Sequence, residues 1–481
     1  MTTSQQGDRR AANRRGTGRP PATRRGAWPG PATRAVGLLH GLLARPLASY
    51  HLLLASAGLL LVIGLAMVFS ATSVHAYATD GNAFARIAEQ AGYAGIGLVA
   101  FWVCQRLPVG TYRALAVPLL LLVFALQGLL NVVDLLHAGR VIKSEQLGPL
   151  HANLRWLELG GFSLQPSELA KLALVIWAAD VLARKGPLAG RSRELFRPLF
   201  PVTGLLLLMI GHQDLGTMLC LLVLFVGVLW AAGVRLRVFL AMGLVALSGI
   251  GLLVVAQSSY RVGRLTAFLN PDCDVLYECY QAAQGRAALG DGGWFGVGLG
   301  NASLKWGWLP EEDNDFIFAV IGEELGVVGC LVVLALFGVL AYTGLRIARR
   351  VGERVPGSRP GEGRPAVRPP ERISPADRFR RLAATGVTIW LVGQTVVNVG
   401  GVVGLLPITG LPQPFISVGG SALVVTLAAV GMLASFARAE PEAVRALHAR
   451  PPARWVRLVW APLPPRPREP AVAGDRKETI G

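Results

Sequence analysis

Six carboxylates lie close together in the stretch LPEEDNDFIFAVIGEELG, which runs from Leu309 to Gly326. Asp315 directly precedes an apolar run, and a carboxylate at the edge of hydrocarbon keeps a proton more readily than one in water, which suits a general base. The alternative from position alone is a helix N-cap, in which Asp315 accepts backbone N–H bonds. Glu323 and Glu324 lie about two turns further on, at a depth where ionisable groups are costly and are usually functional or paired.

A second polar set opens the apolar segment QPSELAKLALVIWAA, where Glu168 is followed three residues later by Lys171. At this spacing the two side chains share one helix face. They form either a structural ion pair or part of the lining of a polar cavity. A third set is GHQDLGT, in which Asp214 opens another apolar segment, and an N-cap is the favoured interpretation there.

The predicted outside loop, residues 258–314, carries cations that could hold a phosphate-bearing ligand. Arg261 and Arg264 stand near its start and Lys305 near its end. Between them, glycines at 296, 298 and 300 have a spacing that resembles a phosphate loop, although tight turns are the more ordinary explanation.

The five cysteines fall into two groups. Cys104, Cys220 and Cys330 sit in apolar runs and are expected to be inert core residues. Cys273 and Cys279 lie in the outside loop, where an oxidising exterior favours a disulfide over two free thiols. The seven histidines show no metal-ligand spacing, so a zinc site is not expected.

Membrane-spanning helices must position these side chains. The 481 residues are 52% hydrophobic and 16% charged, whereas an ordinary soluble protein is about 25% charged. Long uncharged runs explain the difference and predict an all-α, polytopic membrane protein, because only helices of about 20 apolar residues satisfy their backbone while crossing lipid. About ten transmembrane helices are expected, centred near residues 61, 98, 123, 174, 204, 224, 246, 328, 394 and 425.

The basic residues set the orientation of these helices. Of the 47 lysines and arginines, 38 fall in segments that this topology places inside, which predicts that both termini are cytoplasmic. The membrane domain spans 51–438 and carries a basic cytoplasmic loop, 344–381, between the tails 1–50 and 439–481. The N-terminal tail, the loop stretch from Arg350 to Arg381 and the tail stretch PPRPREP are rich in Arg, Pro and Gly and are expected to be mostly disordered. The basic tails are expected to contact anionic lipids. They lack the motifs of nucleic-acid binding.

A broken segment follows the span near 394. Gln394 and Asn398 lie four residues apart in that span, and a Pro- and Gly-rich stretch follows them. Irregular backbone at membrane depth is tolerated where it is buried in protein or lines a cavity. Structural packing alone would account for most of the glycines in this stretch.

Four stretches, in this order, resemble signatures of the SEDS family (shape, elongation, division and sporulation proteins). The resemblance covers roughly 50–438 and implies a ten-helix SEDS fold that polymerises lipid II outside the cytoplasmic membrane, as a peptidoglycan glycosyltransferase. The NDFIFA form and the ARAEPEAVRAL end are most similar to division-type members of actinobacteria, which act at the septum, with the elongation type as the alternative. The stretches are QPSELAK (165–171), DLGT (214–217), GLGNASLKWGWLPEEDNDFIFAVIGEELGVVG (298–329) and GLLPITGLPQPFISVGGS (404–421).

The resemblance also assigns roles to single residues. Asp315 matches the catalytic carboxylate of the family. Glu168 and Lys171 match its functional pair, so we expect the pair to face a polar cavity and contact substrate. Arg155 and Asp214 match two further positions and are expected to bind substrate.

The remaining cations and the metal requirement follow from the chemistry that the family performs. Arg261, Arg264 and Lys305, together with Lys171, are candidates to stabilise the charge of a pyrophosphate leaving group. No cofactor is certain, although Mg²⁺ or Mn²⁺ would suit the family. The chain departs from the usual family sequence at Glu312 and Asp313, which could attract such an ion.

The resemblance implies partners as well. These are lipid II, glycan linked to undecaprenyl pyrophosphate, a class B penicillin-binding protein and other membrane proteins of the division machinery. A lipid II transporter and a scaffold with little activity of its own are the rival interpretations, since polar groups within spans also suit a transport pathway.

Overall fold

The computed structural model describes residues 41, 45–138, 146–147, 150–153, 155–159, 162–186, 197–244, 248, 279–303, 306, 312–351 and 373–465. The described residues from Pro46 onward belong to one compact unit. Four of the predicted site residues lie outside the described residues: Arg261, Arg264, Lys305 and Cys273.

The described part of the chain is mostly helical, as predicted. Before residue 300 the helices are α1 Ala48–Asp80, α2 Ala85–Arg106, α3 Val109–Ala138, α4 Pro166–Lys185, α5 Leu199–Gly211, α6 Leu215–Ala231 and α7 Tyr280–Asp291. After it they are α8 Ile317–Arg350, α9 Pro375–Val402, α10 Gly420–Arg438, α11 Pro441–Ala449 and α12 Arg454–Val459.

Among the described residues, six helices are long and apolar enough to cross a membrane, namely α1, α2, α3, α8, α9 and α10. The helices α5 and α6 are apolar but shorter, and α4 carries charged residues. These nine coincide with predicted spans, and residues 236–244 are also helical and begin the predicted span near 246. The chain is thus a multi-pass membrane protein. The count of ten and the side of the termini stay predictions.

A small antiparallel sheet between α3 and α4 was not predicted. Its strands, in spatial order, are β1 Gln146–Leu147, β2 Leu150–Asn153, β3 Trp156–Leu159 and β4 Phe162–Leu164. Leu157 of β3 is buried with Leu130 and Val133 of α3, which attaches the sheet to the bundle. Strands of two to four residues are too short to show a readable alternation of polar and apolar residues.

Helix α4 lies at the centre of the bundle. It packs on α3, α6 and α9, and Glu168, Lys171 and Asp180 are among its many buried residues. This central position explains how the helix carries charges, because neighbouring helices rather than lipid surround them.

The first part of the C-terminal tail is helical, which its composition did not predict. Helix α11 buries Ala443, Val444 and Leu447, and Arg438 at the end of α10 donates to the carbonyl oxygens of Ala461 and Pro462 at 3.3 and 2.9 Å. The chain after α10 is therefore held against the end of the bundle.

Candidate functional site

Asp315 lies just outside the start of α8. The helix begins at Ile317 with Phe316 at the N-cap position, so Asp315 precedes the cap and the N-cap interpretation is not supported. Phe316, Ile317 and Phe318 are at most 3% exposed, whereas Asp315 is 8% exposed. Three buried apolar residues thus anchor the helix start and hold Asp315 at its edge.

Two amides of α9 fix the backbone around Asp315. Asn398 donates through Nδ2 to the carbonyl oxygen of Asp315 at 2.7 Å and to that of Leu411 at 2.8 Å. One turn earlier, Gln394 donates to the carbonyl oxygen of Pro412 at 2.6 Å. These two amides of α9 therefore satisfy carbonyls of the broken segment, which would otherwise be buried without donors.

The end of the broken segment returns to the residues before Asp315. The Ser417 hydroxyl donates to the carbonyl oxygen of Asn314 at 2.5 Å. The backbone N–H of Val418 donates to the carbonyl oxygen of Asp313 at 2.8 Å. Residues 313–315 are consequently fixed by α9 on one side and by the broken segment on the other.

A small depression lies beside the Asp315 carboxylate. A Cβ atom added at Gly410 would lie 3.9 Å from Asp315 Oδ2, and Gly410 has a φ of 67°, a conformation that favours glycine. That distance is an ordinary van der Waals contact, so the backbone conformation rather than lack of space favours glycine there. The depression is lined by Asp315, Phe316, Val397, Asn398, Gly401, Val402, Ile408, Thr409, Gly410 and Leu411.

Asp214 caps α6, as predicted. Its carboxylate accepts hydrogen bonds from the backbone N–H and the hydroxyl of Thr217, both at 2.9 Å. Arg155 lies 3.8 Å from the same carboxylate, so the structure brings these two predicted residues together. A Cβ atom at Gly216 would lie 2.2 Å from the carbonyl oxygen of Thr409, which also lines the Asp315 depression. The start of α6 is thereby adjacent to the segment that borders Asp315.

The expectation that Glu168 and Lys171 face a polar cavity is not met. Lys171 Nζ lies 2.7 Å from Glu168 Oε1 and donates to Gln394 Oε1 at 2.9 Å. Lys171 is 0% exposed and Glu168 is 1% exposed. Trp390 donates to the same Gln394 oxygen at 2.9 Å. The pair is a buried ion pair whose surroundings come from α9, so its role in substrate binding stays a prediction.

The glycine spacing builds tight turns rather than a phosphate loop. Helix α8 is interrupted at Gly326, which has a φ of 67° and a ψ of −167°. The interruption frees the carbonyls of Glu323 and Glu324, which accept from the N–H groups of Val297 and Gly298 at 2.9 and 3.0 Å. Those N–H groups are used within the protein and are not available to a phosphate.

The carboxylates of Glu323 and Glu324 are both 1% exposed. Glu323 accepts from the N–H and the hydroxyl of Ser303 at 2.6 and 2.9 Å. Glu324 accepts from the hydroxyl of Ser70 on α1 at 2.7 Å, and Ser70 in turn accepts from the N–H of Gly300 at 3.1 Å. The two side chains therefore fasten the glycine-rich loop to α8 and α1.

The described residues offer no metal centre, since none of their His, Cys, Asp and Glu side chains form a group of three that could hold an ion. The requirement for Mg²⁺ or Mn²⁺ stays a prediction. Cys279 is disulfide-bonded, whereas Cys104, Cys220 and Cys330 are free. The predicted pairing with Cys273 rests on a residue outside the described ranges.

Sequence reasoning missed two contributors to the site. Ser70 lies in an apolar run of α1, where one hydroxyl carries no signal of a contact 254 residues away. Thr409 and Gly410 stand in a segment whose glycines and prolines already suggested irregular backbone, but their contact with α6 and Asp315 depends on the tertiary fold.

Comparisons with known proteins place the chain in a family. The family model described as Cell cycle protein, which groups FtsW, RodA and SpoVE, matches residues 50–357 and 371–442. The probable peptidoglycan glycosyltransferase FtsW of Mycobacterium tuberculosis is 39% identical over 445 residues, which are 92% of this chain and 75% of that protein. Stage V sporulation protein E of Bacillus subtilis is 34% identical over 382 residues, 79% of this chain and 94% of that protein.

Two solved structures share the fold. A chain of a peptidoglycan synthase complex superimposes with a TM-score of 0.59 at 23% identity, covering 80% of this chain and 96% of that one. The rod shape determining protein RodA of Thermus thermophilus gives a TM-score of 0.52 at 23% identity, covering 81% and 96%. The resemblance to SEDS proteins is confirmed, and the chain belongs to the cell cycle protein family of FtsW, RodA and SpoVE.

Proposed function

We propose that this protein is a peptidoglycan glycosyltransferase that polymerises lipid II into glycan strands during septal wall synthesis. The observation that carries the proposal is Asp315, a carboxylate at the edge of the bundle beside a small depression, with its backbone fixed by Asn398. Relatives that carry the name peptidoglycan glycosyltransferase, at identities up to 39%, support the same activity.

The proposed chemistry uses Asp315 as general base. The carboxylate accepts the proton of the sugar 4-hydroxyl of an acceptor lipid II while that oxygen attacks the anomeric carbon of the donor strand. The bond to undecaprenyl pyrophosphate breaks with its electron pair, and attack from the opposite face inverts the α linkage to β. A base positioned in this way contributes about 10²- to 10⁴-fold to the rate.

The pyrophosphate that departs needs nearby positive charge. Lys171 is a poor candidate, because its ammonium group is fully buried against Glu168 and Gln394. Arg155 is partly exposed and lies beside Asp214, so it could approach a ligand at this end of the bundle. Arg261, Arg264 and Lys305 remain candidates from the sequence.

The function is tested with purified protein in detergent and fluorescent lipid II, by resolving the products on a gel. A polymerase lengthens glycan without a membrane to cross, so a ladder of products is expected. Protein carrying Asp315→Asn, prepared in the same way, controls for contaminating transferases. Folded wild-type protein that yields no polymer, but moves lipid II across vesicle membranes, would support the transporter instead.

The division role and the partner extend the proposal. The relative from Mycobacterium tuberculosis carries the name FtsW, and the similar synthase complex couples polymerisation with crosslinking. A class B penicillin-binding protein is therefore the expected partner. Depletion in the source cells should block septum formation if the protein serves division, whereas loss of rod shape with normal septa would indicate the elongation type.

A further inference from the structure

The chain after α11 forms a strap across one end of the bundle. This C-terminal strap, residues 454–464, is held mainly through its backbone carbonyl oxygens. Trp102 and Arg106, at the end of α2, donate to Val459 at 2.6 and 3.0 Å, and Gln105 donates to Trp460 at 3.4 Å. Further donors to strap carbonyls are Arg438 and His448. The position of the strap is fixed by side chains that precede it in sequence.

The strap turns large apolar side chains away from the protein. Trp455 is 68% exposed, Leu458 is 73% exposed and Val459 is 59% exposed. Exposed apolar residues that lie together mark a surface that something else covers. Among the described residues, no side chain of the bundle buries this face.

The exposed apolar face of the strap adjoins an exposed apolar face of a membrane-spanning helix. Val99, Trp102 and Val103 of α2 are each about 40 to 60% exposed, and α2 is long and apolar enough to cross a membrane. Because Trp102 donates directly to the strap carbonyl of Val459, the two faces meet at the end of the span. That is the level at which the headgroups of a bilayer lie.

The chain around the strap carries positive charge without negative charge. Between residues 443 and 465 the sequence has four arginines and no carboxylate, and Arg445, Arg450 and Arg454 are exposed. A short element with tryptophan and leucine beside arginines is the composition of segments that lie in a membrane interface. The end of the bundle that carries the strap is also the end that the distribution of basic residues predicts to be inside, where the leaflet is anionic.

We propose that the C-terminal strap is a membrane-interface anchor that binds the anionic leaflet. Trp455, Leu458 and Val459 enter the upper acyl region, and Arg445, Arg450 and Arg454 contact lipid phosphates. This surface lies apart from Asp315 and goes beyond the proposed glycosyltransferase activity. The competing occupant is an acidic soluble partner. In protein purified without that partner, the same face would then be exposed to water rather than to lipid.

The test uses the full chain in nanodiscs made of phosphatidylcholine, with or without phosphatidylglycerol. Fluorescence quenching of Trp455 is obtained as the difference between wild type and Trp455→Phe, a conservative change at an exposed site. The quenchers are lipids brominated near the headgroup and, separately, aqueous iodide. We expect brominated lipid to quench Trp455 and iodide to have little effect.

Neutralising the three arginines tests whether these residues, rather than the overall basic charge of the protein, bind the anionic lipid. The triple variant Arg445→Gln, Arg450→Gln, Arg454→Gln should lose most of the lipid quenching of Trp455 in discs that contain phosphatidylglycerol. The matched control Arg235→Gln, Arg237→Gln, which removes two exposed arginines on the same predicted side, should leave it unchanged. Iodide quenching without lipid quenching in the wild type would overturn the proposal. So would lipid quenching that is insensitive both to phosphatidylglycerol and to the triple variant.

Discussion

Asp315 and Glu168 are both carboxylates at the start of a helix within the bundle, but their surroundings differ. Glu168 is 1% exposed and lies 2.7 Å from the ammonium group of Lys171, which is itself fully buried. Asp315 is 8% exposed and borders a depression where Gly410 leaves space next to the carboxylate. The charge of Glu168 is therefore met by a buried partner, whereas the Asp315 carboxylate borders a depression of about 10 Å³, the size of a water molecule.

The difference shows how one type of residue acquires two roles in a membrane protein. A buried charge is tolerated when a partner charge and further hydrogen bonds satisfy it. A carboxylate at an opening can exchange a proton with a ligand.

The largest loss of stability is expected for Lys171→Met. It leaves Glu168 buried without its cation, which costs about 3–5 kcal/mol, whereas the double variant Glu168→Gln, Lys171→Met should recover most of that loss. Unfolding in detergent, followed by denaturant or heat, measures both. The control Arg184→Met removes a cation that is 64% exposed on the same helix and leaves Asp180 its contact with Arg113 at 2.7 Å, so about 1 kcal/mol or less is expected.

A different result would restore the role that the sequence favoured for the pair. If the single variants fold as well as the wild type and only lose polymerisation, with the double variant no better, Glu168 and Lys171 serve the substrate. The charge-swapped variant Glu168→Lys, Lys171→Glu sharpens the distinction, because a purely structural pair tolerates exchange better than a substrate contact does.

Glu440 extends the comparison to a buried carboxylate outside the spans. Burial raises its pKa from 4.5 to about 7, although Ser49, Arg346 and Arg350 partly offset this. The folded protein then binds a proton that the unfolded chain releases, so stability falls as pH rises from about 4.5 to about 7. The fall is about 3 kcal/mol at most for a shift of this size.

Glu440→Gln should remove this pH dependence. Thermal unfolding of wild type and variant across the same pH range is the measurement, and the variant should gain stability over the wild type as pH rises. Glu89→Gln is the control, since its side chain is 50% exposed and it is not among the groups that shift the pKa of Glu440. Parallel curves for wild type and Glu440→Gln would show that burial does not hold the proton on Glu440.

A smaller effect is expected for Ser70→Ala. The change removes the hydroxyl that donates to Glu324 at 2.7 Å and accepts from Gly300 at 3.1 Å, and it should cost about 1–3 kcal/mol because a buried carboxylate loses a donor. Ser56→Ala on the same helix is the matched control. Its hydroxyl bonds only to Leu52 and Leu53 of its own helix, so little change in the unfolding midpoint is expected. Equal midpoints for the two variants would rule out the contribution of Ser70.

The structural features that could be predicted from the sequence are those that depend on residues close together in the chain. Uncharged runs predicted the helices, and the position of Asp214 predicted its cap. The burial of Lys171 could not be predicted, because its acceptor Gln394 lies 223 residues away. The glycine loop was equally ambiguous, since only the interruption of α8 at Gly326 shows which carbonyls occupy its N–H groups.

The most direct test of the account is polymerisation by Asp315→Asn, measured per folded molecule with purified protein and labelled lipid II. Asp134→Asn is the control, because Asp134 lies near His212, at 3.6 Å, and not in the depression beside Asp315. We predict that Asp315→Asn keeps the wild-type unfolding midpoint and loses about 10²- to 10⁴-fold in rate, while Asp134→Asn polymerises normally. Near-normal polymerisation by Asp315→Asn would contradict the assignment of the general base.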